Sequence, residues 1–195
     1  MMNFAKTLKK YGALKKQKGC MVQCEVSGKA GQFLNVFFDS IKTKEYKKVE
    51  KLLLCNIPKE LSDFYKEYNG ISLFNTSFQI YGISQRDDFE ELDTLDIMKQ
   101  NMNSKLFVKC PQFSDMFIFG SYGYYCFCYK KNYDGNIYVI GTREKKIVHT
   151  FSTLDELFNY YVEHLIAEYD PNGLKLHPEK SRIGSYDENV SYEFI

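Results

Sequence analysis

The run Ile57-Pro58-Lys59-Glu60-Leu61-Ser62-Asp63-Phe64-Tyr65-Lys66-Glu67-Tyr68-Asn69-Gly70 decides how the chain is read. Proline at 58 suits the opening of a helix, where its missing N–H removes no hydrogen bond. Leu61, Phe64, Tyr65 and Tyr68 then recur at helical spacing and form one apolar face. Asn69-Gly70 supplies the left-handed conformation with which helices commonly end. The segment reads as a short helix with a start, an inner face and a stop.

Working outward toward higher numbers, Phe78 to Ile83 reads as a strand with Phe78, Ile80 and Gly82 on one side. The span Asp87 to Asp96 holds six acids and leads into a helix through Leu92, Leu95 and Met98, carboxylates being favourable near a helix start. After Pro111 four β segments follow: Asp115 to Phe119, Tyr122 to Tyr129, Ile137 to Ile140 and Lys146 to Thr150. Gly120 and Gly123, Asp134-Gly135 and Gly141-Thr142 separate them. Connections this short join antiparallel neighbours, because a parallel return needs a crossover of about a dozen residues. Ser152 and Asp155, three apart, predict a capped helix start, and Leu154, Leu157, Phe158, Tyr161, Leu165 and Ile166 give that helix a broad buried face. Asp170-Pro171 and Asn172-Gly173 end it, and from Leu174 to Ile195 the polar, weakly patterned chain predicts an extended wrap or a loose tail.

Toward lower numbers, the Lys-rich span from Lys42 to Lys51 reads as the solvated side of one or two helices within an apolar stretch from Phe33 to Leu54. Val22, Cys24 and Val26 alternate as a short strand would, with a turn at Gly28 and Gly31. Phe4, Leu8, Tyr11 and Leu14 form a helical stripe among lysines, expected to dock on the core.

The 195 residues allow one globular domain with appendages. With 44% apolar and 26% charged residues, a packed core is expected and disorder is not. A net charge of +1 gives no whole-molecule field for a polyanion, so nucleic acid is not an expected partner. Met1 to Lys18 lacks the apolar run of a secretory signal, and nothing approaches the length of a membrane span. A cytoplasmic location is the expectation. The six cysteines at 20, 24, 55, 110, 126 and 128 read as buried thiols in a chain large enough not to need disulfides. A zinc site using Cys20, Cys24 and Cys55 or a histidine is the competing reading, although the spacing is not that of a paired Cys-x-x-Cys set.

With those elements in place, Ile57 to Gly70 resembles the "LP-x-x-hydrophobic-x-x-F-Y-x-x-x-N-G" helix of the SUKH superfamily, which groups fungal cell-wall assembly regulators with bacterial toxin-immunity proteins. Phe78-Gln79-Ile80-Tyr81-Gly82 is similar to the strand that follows it there. Phe117-Ile118-Phe119-Gly120 and Tyr122-Gly123-Tyr124-Tyr125-Cys126-Phe127 are similar to the paired central strands. Ile137-Tyr138 and Phe151-Ser152-Thr153-Leu154-Asp155-Glu156-Leu157 follow in the same order. The similarity spans roughly residues 35 to 170. It implies an α+β domain with helices packed on a mostly antiparallel sheet of about five or six strands. The expected organisation is a basic region over 1–32, a SUKH-like domain over 33–170 and an extension over 171–195. The chain departs from the family pattern in having no Trp, in its Lys-rich beginning and in its final extension.

The resemblance further implies a protein that binds another protein without catalysis, as an immunity protein neutralising a toxin. Regulation or scaffolding of the cell-wall assembly type is the alternative, and an enzyme with a Cys–His pair a third. The residues themselves offer little for catalysis: His149 in a strand, His164 near a helix end and His177 in the tail. Ser27-Gly28-Lys29-Ala30-Gly31 lacks the spacing of a phosphate-binding loop, Gly120-Ser121-Tyr122-Gly123 lacks a dinucleotide fingerprint, and the acidic run lacks the pattern of a calcium loop. No cofactor or metal is expected. Two candidate contact sets remain. Tyr122, Tyr124 and Tyr125 cluster beside glycines, and tyrosine is favoured at interfaces; counted as one strand, Tyr122 and Tyr124 share a side and Tyr125 takes the other. Asp87, Asp88, Glu90, Glu91 and Asp93 form an acidic run suited to steering a basic partner such as a nuclease toxin.

Overall fold

The computed structural model describes residues 7–84, 94–102 and 104–176. Its strands are β1 (Lys15–Gln17), β2 (Cys20–Glu25), β3 (Phe33–Asp39), β4 (Tyr68–Leu73), β5 (Phe78–Ile80), β6 (Met116–Tyr122), β7 (Tyr125–Lys130), β8 (Ile137–Gly141) and β9 (Lys146–Phe151). All nine belong to one sheet whose spatial order is the chain order, with each adjoining pair antiparallel. Helices α1 (Thr43–Leu53), α2 (Lys59–Glu67), α3 (Ile97–Met102), α4 (Lys105–Lys109) and α5 (Leu154–Glu168) complete the described structure. The class is the expected α+β, but the strand count is nine rather than five or six. No described helix is long and apolar enough to cross a membrane.

The additional strands lie where alternation is hidden. Five consecutive residues of β3, Leu34 to Phe38, are buried, because both of its faces are covered. Leu34 and Phe37 join the main core, while Val36 and Phe38 pack with Cys20 and Val22 in a smaller cluster. Strand β1 is three exposed polar residues that become a strand only by pairing Lys15 to Gln17 against Cys20 to Val22. Of the stretch expected as a first helix, Phe4 lies outside the described residues, and the described part holds a 3-10 turn, Lys9–Tyr11, after which Gly12 turns the chain at φ +89°. Leu8 and Tyr11 are buried as expected, and Tyr11 lays its ring edge against Phe74 at 5.6 Å.

Helix α2 begins directly after Pro58 and buries Leu61, Phe64 and Tyr65. It does not stop with a left-handed residue at Asn69-Gly70; Tyr68 is already extended and opens β4. Gly70 is needed for another reason. At φ +91°, a Cβ there would lie 2.7 Å from the Ile80 carbonyl oxygen and 2.5 Å from Thr94 Oγ1. Asn69, buried, works as a bracket: its Oδ1 accepts from Tyr46 Oη at 2.6 Å and from Ile83 N at 2.8 Å, and its Nδ2 donates to Ile83 O at 2.8 Å.

Helix α5 packs on the aromatic side of the sheet centre. Phe158 meets Phe78 edge-on at 5.8 Å, Tyr161 lies 5.2 Å from Phe127, and Phe119 stacks on Tyr129 at 4.6 Å. Phe78, Phe119 and Phe127 are fully buried, each contributing about 2 to 3 kcal/mol by leaving water. The helix is capped one residue later than expected. Thr153, not Ser152, supplies the hydroxyl, accepting from Glu156 N at 3.1 Å, and the Glu156 carboxylate accepts from Ser152 N at 2.8 Å. Glu60 of α2 takes the Leu154 N–H at 2.7 Å, which joins the two helix starts.

Candidate functional site

The β6–β7 hairpin brings two of the three expected tyrosines together and sets the third apart. Gly123, at φ +51°, takes the left-handed position that a two-residue loop requires. Tyr122 and Tyr125 are therefore direct cross-strand partners on the same side of the sheet, their rings parallel within 10° at 6.4 Å. The expectation that Tyr122 shares a side with Tyr124 and opposes Tyr125 is corrected: the parity count fails because the chain turns between them. Tyr122 is buried, Tyr125 half-buried, and Tyr124 sits in the loop, exposed.

Tyr124 is nonetheless held. The Arg143 guanidinium lies 3.6 Å from its ring centroid, a cation–π contact worth about 0.5 to 1 kcal/mol at an exposed position. Thr142 donates to the Tyr124 carbonyl from both its N and its Oγ1, each at 2.9 Å. The β8–β9 loop thus clamps the β6–β7 loop and fixes the tyrosine against solvent.

From this hairpin an aromatic ladder runs across α5 to the sheet edge. Tyr122 contacts Tyr161 at 5.0 Å, Tyr161 contacts Tyr160 at 5.0 Å, and Tyr160 contacts His149 at 5.2 Å and Phe151 at 5.5 Å. Its inner rungs, Tyr122 and Tyr161, are buried, while Tyr160 and His149 are exposed. His164 closes the ladder, with its ring 5.3 Å from Tyr160 and its Nδ1 2.6 Å from the Tyr160 carbonyl oxygen. Arg143, Tyr160, His149, Phe151 and His164 were not among the expected contact residues. The available signals were the i,i+4 spacing of Tyr160 and His164 and the i,i+2 spacing of His149 and Phe151. The arrangement is a rigid, amphipathic surface suited to protein contact.

The other candidate set, Asp87, Asp88, Glu90, Glu91 and Asp93, lies outside the described residues. Asp96, which ends the acidic run, serves structure: Oδ1 accepts from Lys99 N at 2.8 Å at the start of α3, and Oδ2 accepts from Ser84 N at 3.0 Å.

The cysteines are all free thiols. Cys20 and Cys24 are separated by the left-handed φ of +56° at Cys24. Cys20 enters the smaller cluster, whereas Cys24 and Cys55 pack with the main core, so the geometry does not gather them as zinc ligands. Among the described residues no group of three or more His, Cys, Asp or Glu side chains could hold a metal ion. Burial pushes the Cys55 and Cys126 thiols up to about 11 and raises Cys128 further, which disfavours the nucleophilic thiolate. The register also parts the nearest pair of reagents. Phe127, Val139 and His149 align across β7, β8 and β9, and strand alternation sends Cys126 and Cys128 to the opposite side. The Ser27 to Gly31 run is the β2–β3 turn, closed by Lys29 N to Val26 O at 3.0 Å and Gln32 N to Lys29 O at 3.0 Å.

The model of the SMI1 / KNR4 family (SUKH-1) matches residues 40–160, a span that covers α1 through the middle of α5 and includes the whole hairpin clamp. No curated protein gives a significant match to the chain.

Proposed function

The chain belongs to the SMI1 / KNR4 family (SUKH-1), and from that premise we propose that it is a non-catalytic immunity protein that binds a bacterial toxin and covers its working surface. The observation that carries this reading is the clamped tyrosine. Tyr124 is displayed at the tip of a hairpin, its ring held by Arg143 and its carbonyl by Thr142, and the strand positions on either side of the loop, Tyr122 and Tyr125, begin a row of rings. Pre-ordering an aromatic side chain in this way removes part of the entropy cost of association, and Tyr and Arg are the residue types that dominate interface energetics.

The ladder works as a contact surface in stages. Tyr124 and Arg143 present apolar area and a fixed positive charge to the partner. Tyr160 and His149 extend the contact along α5 and the β9 edge. The buried rungs, Tyr122 and Tyr161, keep the exposed ones from yielding. Inhibition by steric cover needs no chemistry from this chain, which agrees with thiols held in their protonated form.

The test is co-expression with a candidate toxin sought among the genes neighbouring its own. Growth is rescued by the native chain, the purified pair forms a complex in size-exclusion chromatography, and the Tyr124→Ala/Arg143→Ala double variant loses at least tenfold in affinity while melting as the native protein does. Binding to a cell-wall assembly factor with no rescue of growth would favour the regulatory alternative. An intact complex with the double variant would remove the hairpin from the contact surface.

A further inference from the structure

The near-zero net charge conceals a strong division. Residues 7–51 carry eleven lysines and no arginine against four acids, Glu25, Asp39, Glu45 and Glu50, although the whole chain totals only +1. These residues build β1, β2 and β3, at the end of the sheet opposite β9, and α1, whose Tyr46 stacks on Tyr65 of α2 and bonds Asn69 of β4. β1 and β9 are the two outer strands of the sheet, so this edge is not the one that carries the Tyr124 clamp, although Tyr11 beside it bonds the carbonyls of Ile166 and Tyr169 at the far end of α5.

Three features coincide there. First, β1 has only one strand neighbour among the described residues, which among those residues leaves a row of backbone donors and acceptors at the border of the sheet. Second, a cleft of about 800 Å³ opens over β1 to β3, lined by Tyr11, Val22 and Phe33 together with Lys15, Lys16 and Gln17. Third, a lysine braces the β1–β2 turn. Lys16 pairs with Asp39, and Asp39 N donates to Gly19 O at 2.9 Å, which sets the β1–β2 turn beside the start of α1. Lys44 is exposed at the start of that helix, and Lys47 and Lys51 continue the row along it, away from the strand edge and toward Asn56, which donates to the Lys131 carbonyl.

We propose that this end of the sheet is a second docking surface, and that its occupant is an extended acidic polypeptide segment of another protein that adds to β1 as an edge strand. The chemistry selects this occupant. An open edge is completed by another backbone, which a membrane does not offer. A second copy pairing edge to edge would place lysines against lysines, a like-charge repulsion, whereas alternating carboxylates would face them favourably. Nucleic acid would also be attracted by the lysines, but it has no peptide backbone with which to complete the strand edge. The lysines therefore act as a filter that rejects neutral and basic strands while admitting acidic ones.

The test uses the full chain and a fluorescein-labelled peptide, Glu-Val-Glu-Val-Thr-Val-Glu-Val-Glu, followed by anisotropy in low salt. A peptide of equal charge with each Val replaced by Pro, which cannot donate from those positions, serves as control. The expected result is saturable binding by the first peptide, at least tenfold weaker binding by the second, slowed amide exchange over residues 15–17, and at least tenfold loss in Lys15→Glu/Lys16→Glu. The Tyr124→Ala/Arg143→Ala variant should bind the peptide normally, so failure here is separable from failure of the toxin-binding reading. Equal binding of the two peptides, tighter binding of an oligothymidylate or of anionic vesicles, or a dimer abolished by the lysine changes would overturn the proposal.

Discussion

Replacing Asn69 by Ala should be among the most costly single changes in the protein. The side chain serves three groups at once, the Tyr46 hydroxyl, the Ile83 N–H and the Ile83 carbonyl, at 2.6 to 2.8 Å. Asn69 is 5% exposed and Tyr46 7% exposed, so water does not readily replace the lost partners. Each polar group stranded in such a place costs about 1 to 3 kcal/mol. Partial relaxation at Ile83, which is half-buried, lowers the sum to about 3 to 4 kcal/mol. In a domain of this size that corresponds to a fall of about 10 °C in Tm. Urea unfolding followed by circular dichroism gives the free energy, and a cycle with Tyr46→Phe isolates the hydroxyl. Tyr46→Phe should cost about 1 kcal/mol in the native protein and close to nothing once Asn69 is Ala, a coupling of about 1 kcal/mol. A cost below about 1 kcal/mol for Asn69→Ala, or additive effects of the two changes, would show that the bracket does not hold β4 to the end of β5.

Further predictions follow from the same kind of bookkeeping. Asp63 accepts from Lys59 and Lys66, which hold its carboxyl down at about 2. Because the folded value lies below the unfolded one, the stabilisation is present above about pH 4 and is lost as pH falls toward 2; an NMR titration should show the low midpoint, rising toward 3.8 in 1 M salt as screening removes the two ammonium contacts. Cys126, at about 11, should react with iodoacetamide at pH 8 on the order of a hundredfold more slowly than an ordinary thiol, as read by mass spectrometry on the native and the urea-unfolded chain. Thr153→Ala, which removes the cap of α5, should cost about 1 kcal/mol and lower Tm by 2 to 4 °C, whereas Ser152→Ala should cost little, since Ser152 contributes its backbone N–H.

The parts of the fold that could be read from the chain are those where local chemistry and tertiary role coincide. Pro58 with Leu61, Phe64 and Tyr65 specifies α2 whatever it packs against, and the glycine-marked separators after Pro111 place β6 to β9. Strand β3 was hidden because burial on both faces erases the period of two. Strand β4 was hidden because Asn69-Gly70 is ambiguous: the same dipeptide that ends helices here supplies a hydrogen-bonding bracket and a close backbone approach. At the candidate site, the tyrosines were visible as a cluster but their facing was not, because parity cannot be counted across a turn. Arg143 and Tyr160 were invisible as partners, since they meet Tyr124 and His149 with Phe151 through loop closure and helix docking. The basic sheet end was masked by a total charge that averages two opposed regions.

A sheet in which each strand pairs with the next one in the chain can be laid down in the order of synthesis, without waiting for distant segments to find one another. The exception is α5, whose rings must reach back to β5, β6 and β7, and whose far end receives Tyr11 Oη at the carbonyls of Ile166 and Tyr169. That helix acts as the slider of a zip, closing the first-made and last-made parts in one step. A growing chain stalled before Leu154 would carry an assembled but unlatched sheet with its aromatic side bare, the moment at which it is most exposed to aggregation.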